Sequence, residues 1–204
     1  MAYYVGDIPA EDLVIEPLRA GQAIDLTLFD EAEATLRDFD GVPVAAEFYA
    51  HIDDSELIVE WPDTTPFLEA GLFTLNVTLL NAAGRRERVA PVYLVAQAED
   101  GWHTIDSARD NWSGAPDNDN SLYVLLQLAK AEVLAFGTTH EDPAARAIAY
   151  RTAQLMQARN TLNAGTADPA TGGTGEEGFV LVAHPLDWAI KQRLRPETGV
   201  PEIG

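Results

Sequence analysis

Apolar and polar residues alternate along two stretches in the first half of the chain. In residues 44–52 and 73–79 every second residue is apolar, as in the series Phe73, Leu75 and Val77. A period of two residues is typical of a β-strand that buries one face. The shorter segments that we also predict to be strands are 13–18, 23–29, 56–61 and 88–95.

Turn-forming residues separate these segments. Asp40-Gly41, Ala70-Gly71 and the run from Asn81 to Gly84 offer the backbone freedom and side-chain hydrogen bonds that tight turns need. Six or seven short strands at this spacing, within about 100 residues, predict a small antiparallel β-sandwich of the immunoglobulin-like type.

The hydrophobic period changes in the second half. Between Leu122 and Phe136 apolar residues recur at helical spacing, after the polar cap candidates 117–120 and before Gly137. Asp142-Pro143 predicts the cap and first residue of a second helix, which we expect to end at Gly165. Because a connection of about five residues joins them, the two helices are predicted to form an antiparallel hairpin.

The last part of the chain has three sections. Residues 165–178 are rich in Gly, Thr and Ala and predict a flexible arm, after which 179–182 resume order. A short amphipathic segment around Trp188 follows, and the residues from Pro196 onward predict an extended tail. A segment this short is not a stable helix alone, so Trp188 must pack on its own helices or on another subunit.

These patterns predict an α+β protein with two folded halves. The expected organisation is a β-sandwich domain over residues 1–101, a linker over 102–117, and a helical domain with an extended C-terminal tail over 118–204. The boundary follows the change of hydrophobic period.

Composition narrows the chemistry. The chain has no cysteine, and its four histidines are scattered, so we expect neither thiol chemistry nor a metal site. The Gly172–Gly175 run is followed by Glu176-Glu177 where a phosphate loop has Lys and a hydroxyl residue, and no Gly-x-Ser-x-Gly motif exists. We therefore predict no catalytic residues, no cofactor and no enzyme activity.

Charge and hydropathy bear on partners. Residues 1–100 hold five arginines and no lysine against twenty acidic residues, and the chain carries a net charge of −20. Such a surface repels nucleic-acid phosphates, although the simplest role of the charge is solubility. No apolar run reaches the roughly 18 residues of a membrane span, and no signal peptide is evident, so we expect a cytoplasmic origin and no membrane contact.

The C-terminal half resembles the head-to-tail connector, or adaptor, proteins of long-tailed bacteriophages. The resemblance covers roughly Trp112 to Gly204. The residues that carry it are Trp112, the acidic cap and helix from Asp119 to Phe136, the run from Tyr150 to Asn160, Pro185-Leu186-Asp187-Trp188, and Leu194-Arg195-Pro196. His184 departs from the apolar or aromatic residue expected before Pro185.

The first half resembles, by pattern, the immunoglobulin-like N-terminal domain of phage baseplate upper proteins, through 21–29, Asp40-Gly41 and 71–77. Together the two resemblances imply a virion protein at the head-tail junction that forms a ring, by family pattern a dodecamer. The implied partners are further copies of the chain, the portal protein and the next neck or tail-completion protein. DNA would pass through the ring without specific binding.

The segment around Trp188 is the predicted partner surface, because it combines apolar residues with positive charge in an acidic chain. The alternative is that Trp188 closes the core of its own helical hairpin. The predicted partner-binding residues are Leu186, Trp188, Ile190, Lys191, Arg193, Leu194, Arg195, Val200 and Ile203.

A second function stays open from the residues alone. The sandwich could be a ligand-binding or glycan-binding module of a phage tail or baseplate, which would need exposed aromatic residues in loops. The candidates are Tyr3, Tyr4, Trp61 and Trp102.

Overall fold

The computed structural model describes residues 1–53, 56–137, 143–167 and 185–195. The chain divides into two compact units, Met1–Ala98 and Glu99–Gly204. The first unit contains strands and the second contains helices, so the protein belongs to the α+β class.

The strands of the first unit are β1 (Ala2–Tyr4), β2 (Leu13–Ile15), β3 (Leu18–Arg19), β4 (Gln22–Ala23), β5 (Glu31–Arg37), β6 (Tyr49–Asp53), β7 (Glu56–Glu60), β8 (Gly71–Leu80), β9 (Arg86–Arg88) and β10 (Val92–Gln97). Eight of them form one curled sheet in the order β1-β10-β8-β5-β6-β7-β2, with β9 also paired to β8. β1 runs parallel to β10, and the other pairs in the sheet are antiparallel. β3 and β4 form a separate hairpin.

The strand β8 is the centre of this sheet. Its residues Phe73, Leu75, Val77 and Leu79 are all less than 8% exposed, and the intervening residues are more accessible. The predicted period-two pattern is confirmed here, since the sheet curls around the apolar face of β8. β5 lies along β8 over its whole length, from Glu31 beside Leu80 to Arg37 beside Thr74.

Other strand predictions need correction. The strand predicted over 44–52 begins only at Tyr49, and the segment 23–29 contains a 3-10 turn, Leu26–Leu28, instead of a strand. Pro91 interrupts the segment 88–95, because proline has no N–H to donate to a sheet. The strand β5 was not predicted, because its inward residues are mostly alanine and give a weak apolar signal.

The helices of the second unit are α1 (Ile105–Asn111), α2 (Asp119–Phe136), α3 (Pro143–Ala167) and α4 (Trp188–Leu194). α2 has the predicted bounds: Asn118 caps it by accepting a hydrogen bond from the Ser121 N–H at 3.0 Å, and Gly137 ends it. α3 continues past the expected stop at Gly165 to Ala167, and the rest of the predicted arm lies outside the described residues.

The predicted linker 102–117 holds the helix α1, so it is not an extended connection. A capping box between Thr104 and Ser107 opens α1, and Ile105 and Ala108 are fully buried. The sequence signal for the start of α1 is present but spans a single turn. The side chains of Thr104 and Ser107 each accept a hydrogen bond from the other residue's backbone N–H.

A buried amide ties α2 and α3 to the segment that leads into α1. Gln154 on α3 is 0% exposed, and its Oε1 accepts a hydrogen bond from the His103 N–H at 2.9 Å. Its Nε2 donates to the Leu126 carbonyl of α2 at 3.0 Å. Because an amide left without these partners inside the unit would be costly, Gln154 fixes the register between the helices.

The close approach at Gly137 generates a stability prediction. A Cβ atom at this position would lie 2.2 Å from the Tyr150 hydroxyl oxygen. Gly137→Ala should therefore destabilise the second unit by about 1–3 kcal/mol, as overpacked sites do. Gly114→Ala is the matched control, since its Cβ would meet Trp112 at an ordinary 3.4 Å. Urea unfolding measures both, and equal midpoints for the two variants would contradict the close approach.

Candidate functional site

The candidate site is the short helix α4 and the surface that it presents. Asp187 is its N-cap, since the Asp187 Oδ1 accepts a hydrogen bond from the Ile190 N–H at 2.9 Å. Seven residues are too few for a helix that is stable alone in water. α4 therefore depends on the helices against which it packs.

Two residues of α4 enter the core of the second unit. Ile190 and Leu194 are 0% exposed and lie in one apolar cluster with Val133 of α2 and Tyr150 and Ala153 of α3. Complete burial of two such side chains stabilises the docked helix by roughly 3–6 kcal/mol before the entropy of ordering is subtracted. This burial is the main force that holds α4 in place.

Polar contacts at both ends orient the helix. At the N-terminus, the Asn160 Nδ2 donates a hydrogen bond to the Asp187 Oδ2 at 2.9 Å. At the C-terminus, the Arg195 Nε donates to the Phe136 carbonyl at 2.8 Å, and the Arg195 guanidinium lies 4.3 Å from the Phe136 ring centre. The Lys191 ammonium approaches the same ring at 5.9 Å.

Trp188 points away from this core. Its side chain is 71% exposed, whereas Ile190 and Leu194 are fully buried. Trp188, Lys191 and Arg195 are three and seven residues apart and share one face of the helix. We call the surface formed by Trp188, Lys191, Gln192 and Arg195 the α4 outer face.

This geometry divides the predicted partner-binding residues into a buried group and an exposed group. Ile190 and Leu194 belong to the core of their own unit, and half-buried Leu186 packs against that core. The idea that Trp188 closes the core of its helical hairpin is wrong, because its ring is exposed. Arg193 is exposed beside the outer face, and the predicted residues Val200 and Ile203 lie outside the described residues.

The aromatic residues considered for ligand binding are placed differently. Tyr3 and Trp61 contact each other at 5.1 Å between ring centres, and both contact the fully buried Phe67. Trp102 packs on the apolar cluster of the second unit, with Lys130 5.4 Å from its ring centre. Tyr4, in β1, is half-buried. Three of the four aromatic candidates are therefore packing residues.

Two surface depressions lie in the described part of the first unit. One, of about 380 Å³, lies over β5, β8 and β9 and is polar; its lining includes Glu33, Thr35, Arg37, Asn76, Thr78 and Arg88. The other, of about 280 Å³, lies beside the β3–β4 hairpin and has apolar walls formed by Ala23, Ile24, Leu28 and Phe29, with Arg19, Gln22 and Glu87 at its rim. Neither was predicted from the sequence, because each joins segments far apart in the chain.

Phe39 is another exposed aromatic residue, and it was not among the predicted site residues. Phe39 is 80% exposed at the tip of the turn 38–42, directly after β5. The Asp38 Oδ1 accepts a hydrogen bond from the Val42 N–H at 2.7 Å, and Gly41 takes the positive φ of 81° that this turn requires. The Asp40-Gly41 pair signals the turn, but exposure of the aromatic ring is a tertiary property.

Within the described ranges, no three residues of the types His, Cys, Asp and Glu lie close enough together to hold a metal ion. No helix in the same part of the chain is long and apolar enough to cross a membrane.

Comparison with known proteins identifies no family. No family model matches the chain, and no curated protein matches it. Among solved structures, CopC from Methylosinus trichosporium OB3b aligns with 50% of this chain and 87% of its own, at 10% identity and a TM-score of 0.30. A likeness this weak carries no argument about fold or function.

The environment of His103 generates a pH prediction. Burial, followed by the positive charges of Arg151 and Arg159, lowers the pKa of His103 below its usual value near 6.5. The unfolded chain therefore binds a proton that the folded unit resists, and folding stability falls as the pH drops below about 6.5 toward the folded-state pKa. His103→Gln should flatten this dependence.

Urea unfolding of the helical unit between pH 7.5 and pH 5 measures the effect of that substitution. His51→Gln is the control, since His51 lies in the first unit, beside Glu60 at 3.5 Å. Identical pH profiles for the wild type and the His103→Gln chain would refute the role of His103.

Proposed function

We propose that this chain is a structural subunit of a bacteriophage head-to-tail connector, which forms a ring and docks partner subunits or the portal protein through the α4 outer face. The observation that carries the proposal is the exposure of Trp188 on a helix whose other large apolar residues are buried. In this proposal the protein is part of the virion, at the head-tail junction, and has no enzymatic activity.

The chemistry of the outer face fits docking. Tryptophan and arginine are enriched among the residues that dominate interface energies, and truncation of such a residue often costs about 2 kcal/mol or more. Here Trp188 shares one face of a capped helix with Lys191 and Arg195. An exposed ring on a fixed backbone loses little entropy on binding, which favours affinity.

Charge adds direction to this docking. The α4 segment carries Lys191, Arg193 and Arg195 in a chain with a net charge of −20. This positively charged segment is attracted to the acidic surface of another copy or of an acidic partner. It is repelled by the same segment of a neighbouring copy. The attraction therefore favours one orientation of neighbouring subunits.

For the first unit we propose the finer class of an immunoglobulin-like sandwich. The support is its size, its mostly antiparallel curled sheet and the apolar core that packs against this sheet. The proposed role of this unit is to extend the ring, with DNA passing through the assembly.

The alternative function is a ligand- or glycan-binding module of a phage tail or baseplate. The polar depression over β5, β8 and β9 favours it, because Arg37, Asn76 and Thr78 offer hydrogen-bond donors in one place. The internal packing of Tyr3 and Trp61 weighs against it, since neither ring lies open for stacking on a sugar. Screening the chain for binding on a glycan array distinguishes the two functions.

The charge distribution generates a prediction about DNA. Residues 1–100 contain twenty acidic residues and only five arginines, so the isolated chain should not bind duplex DNA at physiological salt. A gel shift at about 150 mM salt, where exposed charges are screened beyond about 8 Å, tests this. Tight binding under these conditions would contradict passive passage of DNA through the ring.

Removal of the exposed tryptophan generates the central prediction. Trp188→Ala should leave the unfolding free energy within about 0.5 kcal/mol of wild type, as surface substitutions do. It should nevertheless weaken joining of filled heads to tails by tenfold or more, on the order of the loss at an interface hot spot. The measurements are urea unfolding and a head-tail joining assay.

Two variants serve as controls for this experiment. Ile190→Ala removes a buried residue of the same helix and should destabilise the second unit by about 2–5 kcal/mol. Leu134→Ala removes an exposed apolar residue, 52% accessible, from α2 and should leave joining unchanged. Full joining by the Trp188→Ala chain would remove the α4 outer face from the interface.

The ring itself is tested by native mass spectrometry and electron microscopy of the wild-type chain, alone and mixed with a portal protein. The expected result is a closed ring in at least one of these samples. A chain that stays monomeric in both samples would contradict the connector proposal.

A further inference from the structure

We infer that neighbouring copies of this chain join head to tail through their first units, with Phe39 of one copy inserted into the apolar depression beside the β3–β4 hairpin of the next copy. The inference rests on the proposed ring and specifies one of its contacts. It uses a different surface from the α4 outer face.

The inserting element is the turn 38–42, which is rigid. The Arg37 Nη1 donates a hydrogen bond to the Gly41 carbonyl at 2.7 Å, and the Gly41 N–H donates to the Asp38 carbonyl at 3.0 Å. With the bond from the Val42 N–H to Asp38, these contacts fix the turn from both sides. Phe39 at its tip is 80% exposed, the highest value among the large apolar residues described.

The receiving element is a depression of about 280 Å³ with apolar walls. Ile24 and Phe29 are half-buried in it, and Leu28 is 62% exposed at its mouth. A cavity of about 150 Å³ is enough for a benzene ring, so the phenyl group of Phe39 fits this space. Burial of both exposed surfaces supplies the driving force of the contact.

Charge complementarity favours this pairing. Phe39 is flanked by Asp38 and Asp40, while Arg19, with a side chain 70% exposed, stands at the rim of the depression. The Arg19 Nη1 lies 3.0 Å from the Glu87 Oε1, and a guanidinium has five N–H donors, so Arg19 can also donate to a second carboxylate.

Two carboxylates beside the walls of the depression accept hydrogen bonds within their own chain. Asp25 accepts hydrogen bonds from the N–H and hydroxyl of Thr27, and Asp30 accepts one from the Ala82 N–H. These hydrogen bonds leave both carboxylates charged, so the attraction for an incoming acidic turn rests on the free N–H donors of the exposed Arg19.

The positions of the two elements exclude contact within one chain and favour a ring. The depression lies at the start of β5, next to Phe29, and the Phe39 turn follows the end of β5. Seven strand residues separate them by roughly 20 Å. Two different patches at opposite ends of one unit make a heterologous contact, which closes into a ring when the rotation between copies allows it.

Sedimentation velocity and native mass spectrometry of the full chain test this contact. Phe39→Ala should weaken association between copies by roughly thirtyfold or more, as loss of an anchoring aromatic does. Leu28→Glu, which puts a charge at the mouth of the depression, should do the same. Tyr93→Ala, at a residue 57% exposed on β10, is the matched control and should associate like wild type.

Mixing the two variants gives the sharpest result. The Phe39→Ala chain keeps its depression and the Leu28→Glu chain keeps its Phe39, so an equal mixture should form complexes of two chains that do not extend. A charge exchange adds a second test: Arg19→Asp should weaken association, and Asp40→Arg added to it should restore association at least in part. A mixture that stays monomeric would overturn the head-to-tail contact.

The test also separates this contact from the ring. Rings that persist in the Phe39→Ala chain overturn the Phe39 contact and leave the connector proposal intact. A wild-type chain that forms no ring, alone or with a portal, overturns both. Urea unfolding of each variant shows that its fold is retained.

Discussion

The burial of Ile190 and Leu194 is the interaction on which the candidate site depends. α4 has only seven residues, so it exists because these two side chains fill the space between α2 and α3. Their inward direction also determines what the helix shows to solvent, because residues on the opposite face must point outward. Exposure of Trp188 is thus a consequence of core packing. The contacts of Arg195 and Asp187 then hold the helix ends in place.

Exposed aromatic residues on rigid supports recur in both units. Trp188 stands on a capped helix, and Phe39 stands on a turn closed by several hydrogen bonds. In each case the backbone is already ordered, so binding would order little more than one side chain. The charges beside them are opposite, with Lys191 and Arg195 around Trp188 and Asp38 and Asp40 around Phe39. This difference suits the two separate contacts that we propose.

The acidic character of the chain is compatible with specific association because the few basic residues lie at defined places. Arg19 stands at the rim of an apolar depression, and Arg109 is bound to Asp119 at 2.8 Å and to the Asp117 carbonyl at 2.6 Å. The remaining acidic surface repels other polyanions, which is the physical basis for predicting that the chain does not bind DNA. The contact that we propose, apolar insertion steered by single charges, suits such a surface.

The sequence by itself determined the α+β class, the long strand β8, and α2 with its cap and its end at Gly137, because these features follow from local period and capping chemistry. It also indicated the segment around Trp188 as a candidate partner surface. Tertiary structure alone decided which face of that segment is buried, since a seven-residue helix is not stable until it packs against another surface. It alone revealed β5 as a sheet strand and the depression that gathers residues 19–29 and Glu87, because strand pairing and concave surfaces depend on residues far apart in sequence.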